Sequence, residues 1–107
     1  MNNNYKLRYL PLFYEDFNEK IAYIRNILQN KKAADDLIDE VEKAILNRLP
    51  VCESFEKYKS KKERKHPYYR IYVKNFIIFY VVIKEDKNKI MEVRRVLYNK
   101  ENINTKI

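Results

Sequence analysis

Phe76-Ile77-Ile78-Phe79-Tyr80-Val81-Val82-Ile83 runs without a polar break to Lys84, and the turn-forming quartet Glu85-Asp86-Lys87-Asn88 follows. An uninterrupted β-branched and aromatic run of this length, bounded by turn residues, is the pattern of a central strand. Its neighbours read as strands too. Tyr68 to Lys74 alternates on one side and Lys89 to Tyr98 on the other, and the connections are only Lys74-Asn75 and the quartet. Strands joined so briefly form an antiparallel meander.

The first half of the chain is helical apart from its start. Tyr5-Lys6-Leu7-Arg8-Tyr9 alternates with period two and predicts a strand. Pro11 suits the first turn of a helix, with Glu15 and Asp16 near the positive end of its dipole. Phe13, Phe17, Ile21, Ile24 and Leu28 draw one apolar stripe from Pro11 to about Asn30. Lys31-Lys32 reads as a short connection. Ala34, Leu37, Ile38, Val41, Ala44, Ile45 and Leu49 form a second stripe that Pro50 ends, so the two helices make an antiparallel hairpin. The expected fold is α+β in the order βααβββ: an N-terminal strand, a helical hairpin, then a three-stranded antiparallel meander. The sheet is four-stranded and mostly antiparallel, with both helices on one face. Residues 1–107 are expected to make a single domain, since 107 residues are too few for two independent cores.

Strand parity sorts the side chains. A tight turn at Lys74-Asn75 pairs Val73 with Phe76, Ile71 with Ile78 and Tyr69 with Tyr80. These, with Met91, Val93 and Leu97, suit the helix-covered face. The opposite face then presents Arg70, Tyr72, Ile77, Phe79, Arg94 and Tyr98, with Lys74 and Lys100 at the strand ends. Cations beside exposed rings suit a nucleic acid, although Arg and Tyr are also ordinary solvent-side strand residues. Arg95, of the other parity, is expected to lay its aliphatic stem toward the helices.

Charge points the same way. Residues 1–49 carry eight Lys/Arg and eight Asp/Glu, whereas residues 50–107 carry fifteen against seven, so the whole net charge of +8 lies in the second half. A lysine-rich genome would raise the basic content but would not segregate it, which favours a polyanionic partner. The basic stretch from Glu53 to Lys65 has no periodicity and reads as a loop. Glycine is absent, which excludes the phosphate-cradling and dinucleotide-binding glycine motifs. One cysteine and one histidine cannot form an internal disulfide or a cysteine-rich zinc site, so no metal or cofactor is expected. Cys52 reads as a buried structural thiol. His66, the side chain suited to proton transfer at neutral pH, is either a general acid or base or a solvated loop residue. Glu92 is either a catalytic carboxylate or an ion-pair partner that orients Arg94. No apolar run is long enough to cross a bilayer, and the polar Met1-Asn2-Asn3-Asn4 start lacks the marks of a secretion signal, so a cytoplasmic protein is expected.

Phe76-Ile77-Ile78-Phe79-Tyr80, a charged turn and Val93-Arg94-Arg95-Val96-Leu97-Tyr98-Asn99-Lys100 resemble the carboxy-terminal signature of the RelE/ParE superfamily of type II toxin–antitoxin toxins. Tyr69-Arg70-Ile71-Tyr72-Val73 resembles the strand before it. The resemblance covers the chain in element order, with motif matching over roughly the last forty residues. It implies a growth-inhibiting, plasmid-stabilising toxin neutralised by a cognate antitoxin. Two mechanisms are implied. ParE-like members bind DNA gyrase; RelE-like members are metal-independent endoribonucleases that cut mRNA on the ribosome. Under the second, the resemblance implies catalytic roles for Arg70, Tyr98 and Lys100, to which strand parity adds Arg94 and proton-transfer chemistry adds His66 as a further candidate. Tyr72, Lys74, Ile77 and Phe79 are then expected to contact the target. Ile77 departs from the nuclease pattern, which has an arginine there. A plain RNA-binding module fits less well, because common sheet readers interleave their helices differently and use glycine. The antitoxin is expected to cover an exposed Ile77 and Phe79 beside the basic face.

Overall fold

The computed structural model describes residues 5–59 and 65–107 of the chain. Strand β1 (Tyr5–Tyr9) leads into helix α1 (Pro11–Ala22), a π-helical turn (Tyr23–Ile27), helix α2 (Lys31–Arg48) and a short 3-10 turn (Leu49–Val51). Strands β2 (Tyr69–Val73), β3 (Phe76–Glu85) and β4 (Asn88–Tyr98) follow, then a four-residue helix, α3 (Ile103–Lys106). The expected α+β class holds. The sheet order is β1-β4-β3-β2, with β2, β3 and β4 antiparallel in sequence and β1 parallel to β4 at the far edge. The apolar run is therefore a central strand, and the sheet is mixed.

The helical hairpin differs in detail from the periodicity. The first helix does not run unbroken to Asn30. It passes at Ala22 into the π turn, where the Leu28 amide donates to the Tyr23 carbonyl, and Gln29 then takes a left-handed φ of 50°. Lys31 and Lys32 are no connection but the first turn of α2. The Asn30 side chain caps that helix by accepting from the Ala33 amide at 3.1 Å. Glu15 and Asp16 lie beyond the first turn of α1, and Asp16 serves a different purpose described below.

Phe13, Ile21, Ala34, Leu37, Val41 and Ile45 bury the hairpin's stripe against Tyr69, Ile71, Val73, Ile78, Tyr80, Met91, Val93 and Val96 of the sheet. Cys52 joins this core, and burial pushes its thiol up to about 11. That makes it an inert packing residue, as its sequence context suggests. The Tyr80 hydroxyl donates to the Cys52 carbonyl at 2.7 Å and accepts from Arg48, while burial raises its pKa to about 12. Arg48 also donates to the Arg70 carbonyl at 3.0 Å and stacks its guanidinium on Phe55 at 3.4 Å. One side chain thus ties the end of α2, the following loop and the outer edge of β2 together. Lys57 bridges Tyr69 on that same edge. Both contacts occupy backbone groups that a foreign strand would need.

The expectation that helices cover only one face needs correction. A second core lies on the other face, where Ile77, Phe79, Val81, Ile83, Ile90 and Leu97 are buried together with Tyr68 and Ile107. Ile103 of α3 and Tyr58 pack against it, and Tyr58 and Tyr68 meet the Phe79 ring edge-on. The apolar run is buried on both faces because the chain's own later residues cover the side that the hairpin leaves open.

Candidate functional site

A β-bulge decides which side chains reach the second face. Phe79 pairs with Arg95, but the next residue, Tyr80, pairs with Val93, so Arg94 is an extra residue in β4 with no partner opposite. Every position beyond it changes face relative to simple alternation. Val96 rather than Leu97 packs under the helices, and Leu97 is buried in the second core. Arg95 stands in the Phe79 row instead of facing the hairpin. It reaches round the edge to Asp16 of α1, with Nε to Oδ2 at 2.7 Å and Nη2 to Oδ1 at 2.8 Å, and donates through Nη1 to the Lys106 carbonyl. Asp16 also accepts from the Val96 amide at 3.3 Å.

Tyr98 moves to the helix side. It pairs with Phe76, and the two rings lie 5.8 Å apart. They help line a groove of roughly 600 Å³ with Tyr23, Ile24 and Leu28 of the π turn and its exit. The Glu101 carboxylate accepts from the Tyr98 amide at 2.7 Å and pairs with Lys20 at 3.0 Å, which pins the β4 exit to α1. Ile77 and Phe79, expected at the surface, are only 6% and 0% exposed. The basic open face with exposed aromatics is therefore reduced to its margins.

On the β2 margin, Arg70 is half-buried, with its guanidinium 4.9 Å from the Tyr58 ring and 5.8 Å from that of Tyr72. Tyr72 is 63% exposed. Lys74 takes a turn conformation with φ 53° and pairs with Glu40 of α2 at 3.0 Å, so it leans to the helix side. Lys100 is exposed in the turn after β4. His66 is half-exposed and makes no hydrogen bond or ion pair with the described residues. Of the basic stretch, residues 60–64 lie outside the described residues. Arg70, Arg94, Tyr98 and Lys100 do not converge: they stand on β2, at the bulge, on the helix face and in a turn.

The β1 margin holds a cluster that parity did not reveal as such. Glu92 is 4% exposed, the one buried charged side chain among the described residues. Arg8 of β1 donates to its Oε2 through Nε at 2.8 Å and Nη2 at 2.6 Å, and Arg94 donates through Nε to its Oε1 at 2.8 Å. Burial works against the charged carboxylate, but the hydrogen bonds from Arg94 and Arg8 outweigh it and hold Glu92 below the ordinary glutamate range. Of the two sequence readings of Glu92, the ion pair that orients Arg94 is the one present. Arg8 was the missed partner, and the alternation of Tyr5 to Tyr9 does place it on this face.

A pH dependence follows. Because the folded-state pKa of Glu92 is lowered, its stabilisation is complete above the unfolded value of about 4.3 and is lost as pH falls through the folded one. Urea midpoints should fall on acidification below that range. Glu92→Gln, less stable at neutral pH, should show a flatter decline. Parallel pH profiles for parent and variant would refute the assignment.

Among the described residues no group of acidic, Cys or His side chains could hold a metal ion, and no helix is long and apolar enough to cross a membrane. Comparison with known families finds one matching model, described as the ParE toxin of the type II toxin-antitoxin system, parDE, over residues 7–103. No curated protein and no solved structure matches the chain.

Proposed function

The chain belongs to the ParE toxin family of type II toxin–antitoxin systems, and from that premise we propose that it arrests growth by binding DNA gyrase, without cutting RNA. The supporting observation is the burial of Ile77. Where the nuclease pattern has a phosphate-binding arginine, this chain has an aliphatic side chain, 6% exposed, in a core completed by Ile103 and Ile107. An aliphatic group cannot replace a guanidinium as a bidentate phosphate ligand. The dispersal of Arg70, Arg94, Tyr98 and Lys100 favours the same reading. Arg70, Tyr72 and Lys100, which keep solvent access, are the proposed gyrase contacts, while Tyr98, Ile77 and Phe79 act through packing.

A cognate antitoxin is the partner that the family implies. Ile77 and Phe79 are closed to it, since the chain covers both itself. The exposed apolar side chains of the hairpin, Tyr23, Ile27 and Leu28, are the proposed replacement. The cytoplasm, where gyrase works, is the proposed compartment.

The purified chain should inhibit gyrase supercoiling, and primer extension on cellular mRNA after induction should show no new 5′ ends. Arg70→Ala and Lys100→Ala should relieve the inhibition while melting normally. New mRNA ends with intact supercoiling would establish the ribonuclease reading instead.

A further inference from the structure

We propose that Arg8 and Arg94, held by Glu92, form a binding site for a backbone phosphate of duplex DNA. This site is independent of whether gyrase is the target.

The stoichiometry is the first argument. Burying a carboxylate is costly unless it is paired and hydrogen-bonded, and a single arginine would satisfy that need. Here two guanidiniums share one carboxylate, which leaves a surplus positive charge at the surface. Nowhere else among the described residues do two arginines share a carboxylate: Arg95 has Asp16, Arg25 has Asp35, and Arg48 bonds to oxygens and stacks on rings.

Orientation is the second. Glu92 engages both arginines through Nε, so the Nη edge of Arg94 and the Nη1 group of Arg8 have no partner among the described residues. A guanidinium anchored at Nε has fewer rotamers to lose when it meets a phosphate with its outer edge. The bulge gives Arg94 its place beside Glu92 rather than in the regular ladder. The Arg8 and Arg94 side chains are 43% and 27% exposed, against 5% for Glu92, so the cations are reachable and the anion is covered. Lys6, two residues before Arg8 on the same strand face, is exposed and adds charge at the rim.

The third argument concerns which polyanion. Single strands are bound by exposed rings on which bases stack. Tyr72, the exposed ring of the β strands, stands on β2 at the opposite edge of the sheet. With that ring at the far edge, the two guanidiniums are placed to contact backbone, which suits a duplex whose bases are stacked inside.

The test is fluorescence anisotropy of a labelled DNA duplex, titrated with the full chain at several salt concentrations. The parent should bind, and Arg94→Gln and Arg8→Gln should each weaken binding about tenfold and reduce the salt slope by about one. Arg94→Lys keeps the charge but loses the fork, and should stay several-fold weaker than the parent. Arg25→Gln removes the same charge from the helical hairpin and should bind as the parent does. Melting curves accompany each variant; if the Gln variants do not fold, Arg94→Lys and Arg8→Lys carry the comparison. A parent that fails to bind, a lysine variant equal to the parent, or an Arg25 variant as weak as the Arg94 one would overturn the site. Preference for single-stranded RNA of equal length, lost in the same variants, would overturn the duplex assignment.

Discussion

Phe79→Ala is expected to destabilise the protein by about 3–5 kcal/mol, the usual cost of emptying a buried phenylalanine position. Phe79 is wholly buried between β3 and the edge-on rings of Tyr58 and Tyr68. Tyr58 also donates its amide to the Tyr68 carbonyl, so the truncation should loosen the hold of Lys57 and Tyr58 on the start of β2 as well as open a cavity. A solvent-facing Phe79, as alternation alone predicts, would cost within about 0.5 kcal/mol. The two outcomes differ enough for one pair of urea titrations to separate them. For a domain of this size a loss of 3 kcal/mol lowers the melting temperature by roughly 12–24 °C. A shift of only a degree or two would mean that the second face is open.

The second large effect is expected at Arg95. Its bidentate pair with Asp16 is mostly buried, with side-chain exposures of 15% and 10%. Removing one partner from such a pair leaves a charge without compensation, at a cost of about 3–5 kcal/mol when fully buried and somewhat less here. Arg95→Ala also releases Asp16 from its place beside the Val96 amide and removes the donor to the Lys106 carbonyl. Both α1 and α3 should therefore loosen at the β4 edge. Hydrogen exchange should register this as faster exchange of the Val96 amide. Arg95→Lys should recover only part of the loss, since a lysine cannot span both carboxylate oxygens. Equal melting temperatures for parent and Arg95→Ala would show that the pair contributes nothing.

Sequence reasoning located the strands because their periodicity and turns are local properties. The pairings of Val73 with Phe76, Ile71 with Ile78 and Tyr69 with Tyr80 follow from the two-residue turn, and the structure has all three. Face assignments held as far as Arg94 and failed beyond it, since an extra residue there leaves no mark in a pattern of alternating residue types. Arg95 shows the consequence: alternation puts its stem under the helices, whereas its guanidinium pairs with Asp16 around the edge. The cover over Ile77 and Phe79 was illegible for another reason. Ile103 and Ile107 are too few to show a period, and their value lies wholly in what they meet. In the Glu92 cluster, the pair with Arg94, two residues away, was legible, whereas Arg8, 84 positions from Glu92, was not.

The parallel pairing of β1 with β4 also constrains the order in which the molecule can be made. Arg8 and Glu92 are 84 positions apart, and Asp16 and Arg95 are 79 apart. The helical hairpin and the β2–β3 turn need only near neighbours and can form early during synthesis. The sheet, by contrast, cannot close until the ribosome has delivered β4, because β4 lies between β1 and β3. Until then the β1 edge has nothing to pair with, Glu92 and its two arginines have not met, and Asp16 has no arginine. A partly made chain therefore lacks the closed sheet and both edge ion-pair clusters, which assemble only after β4 has emerged.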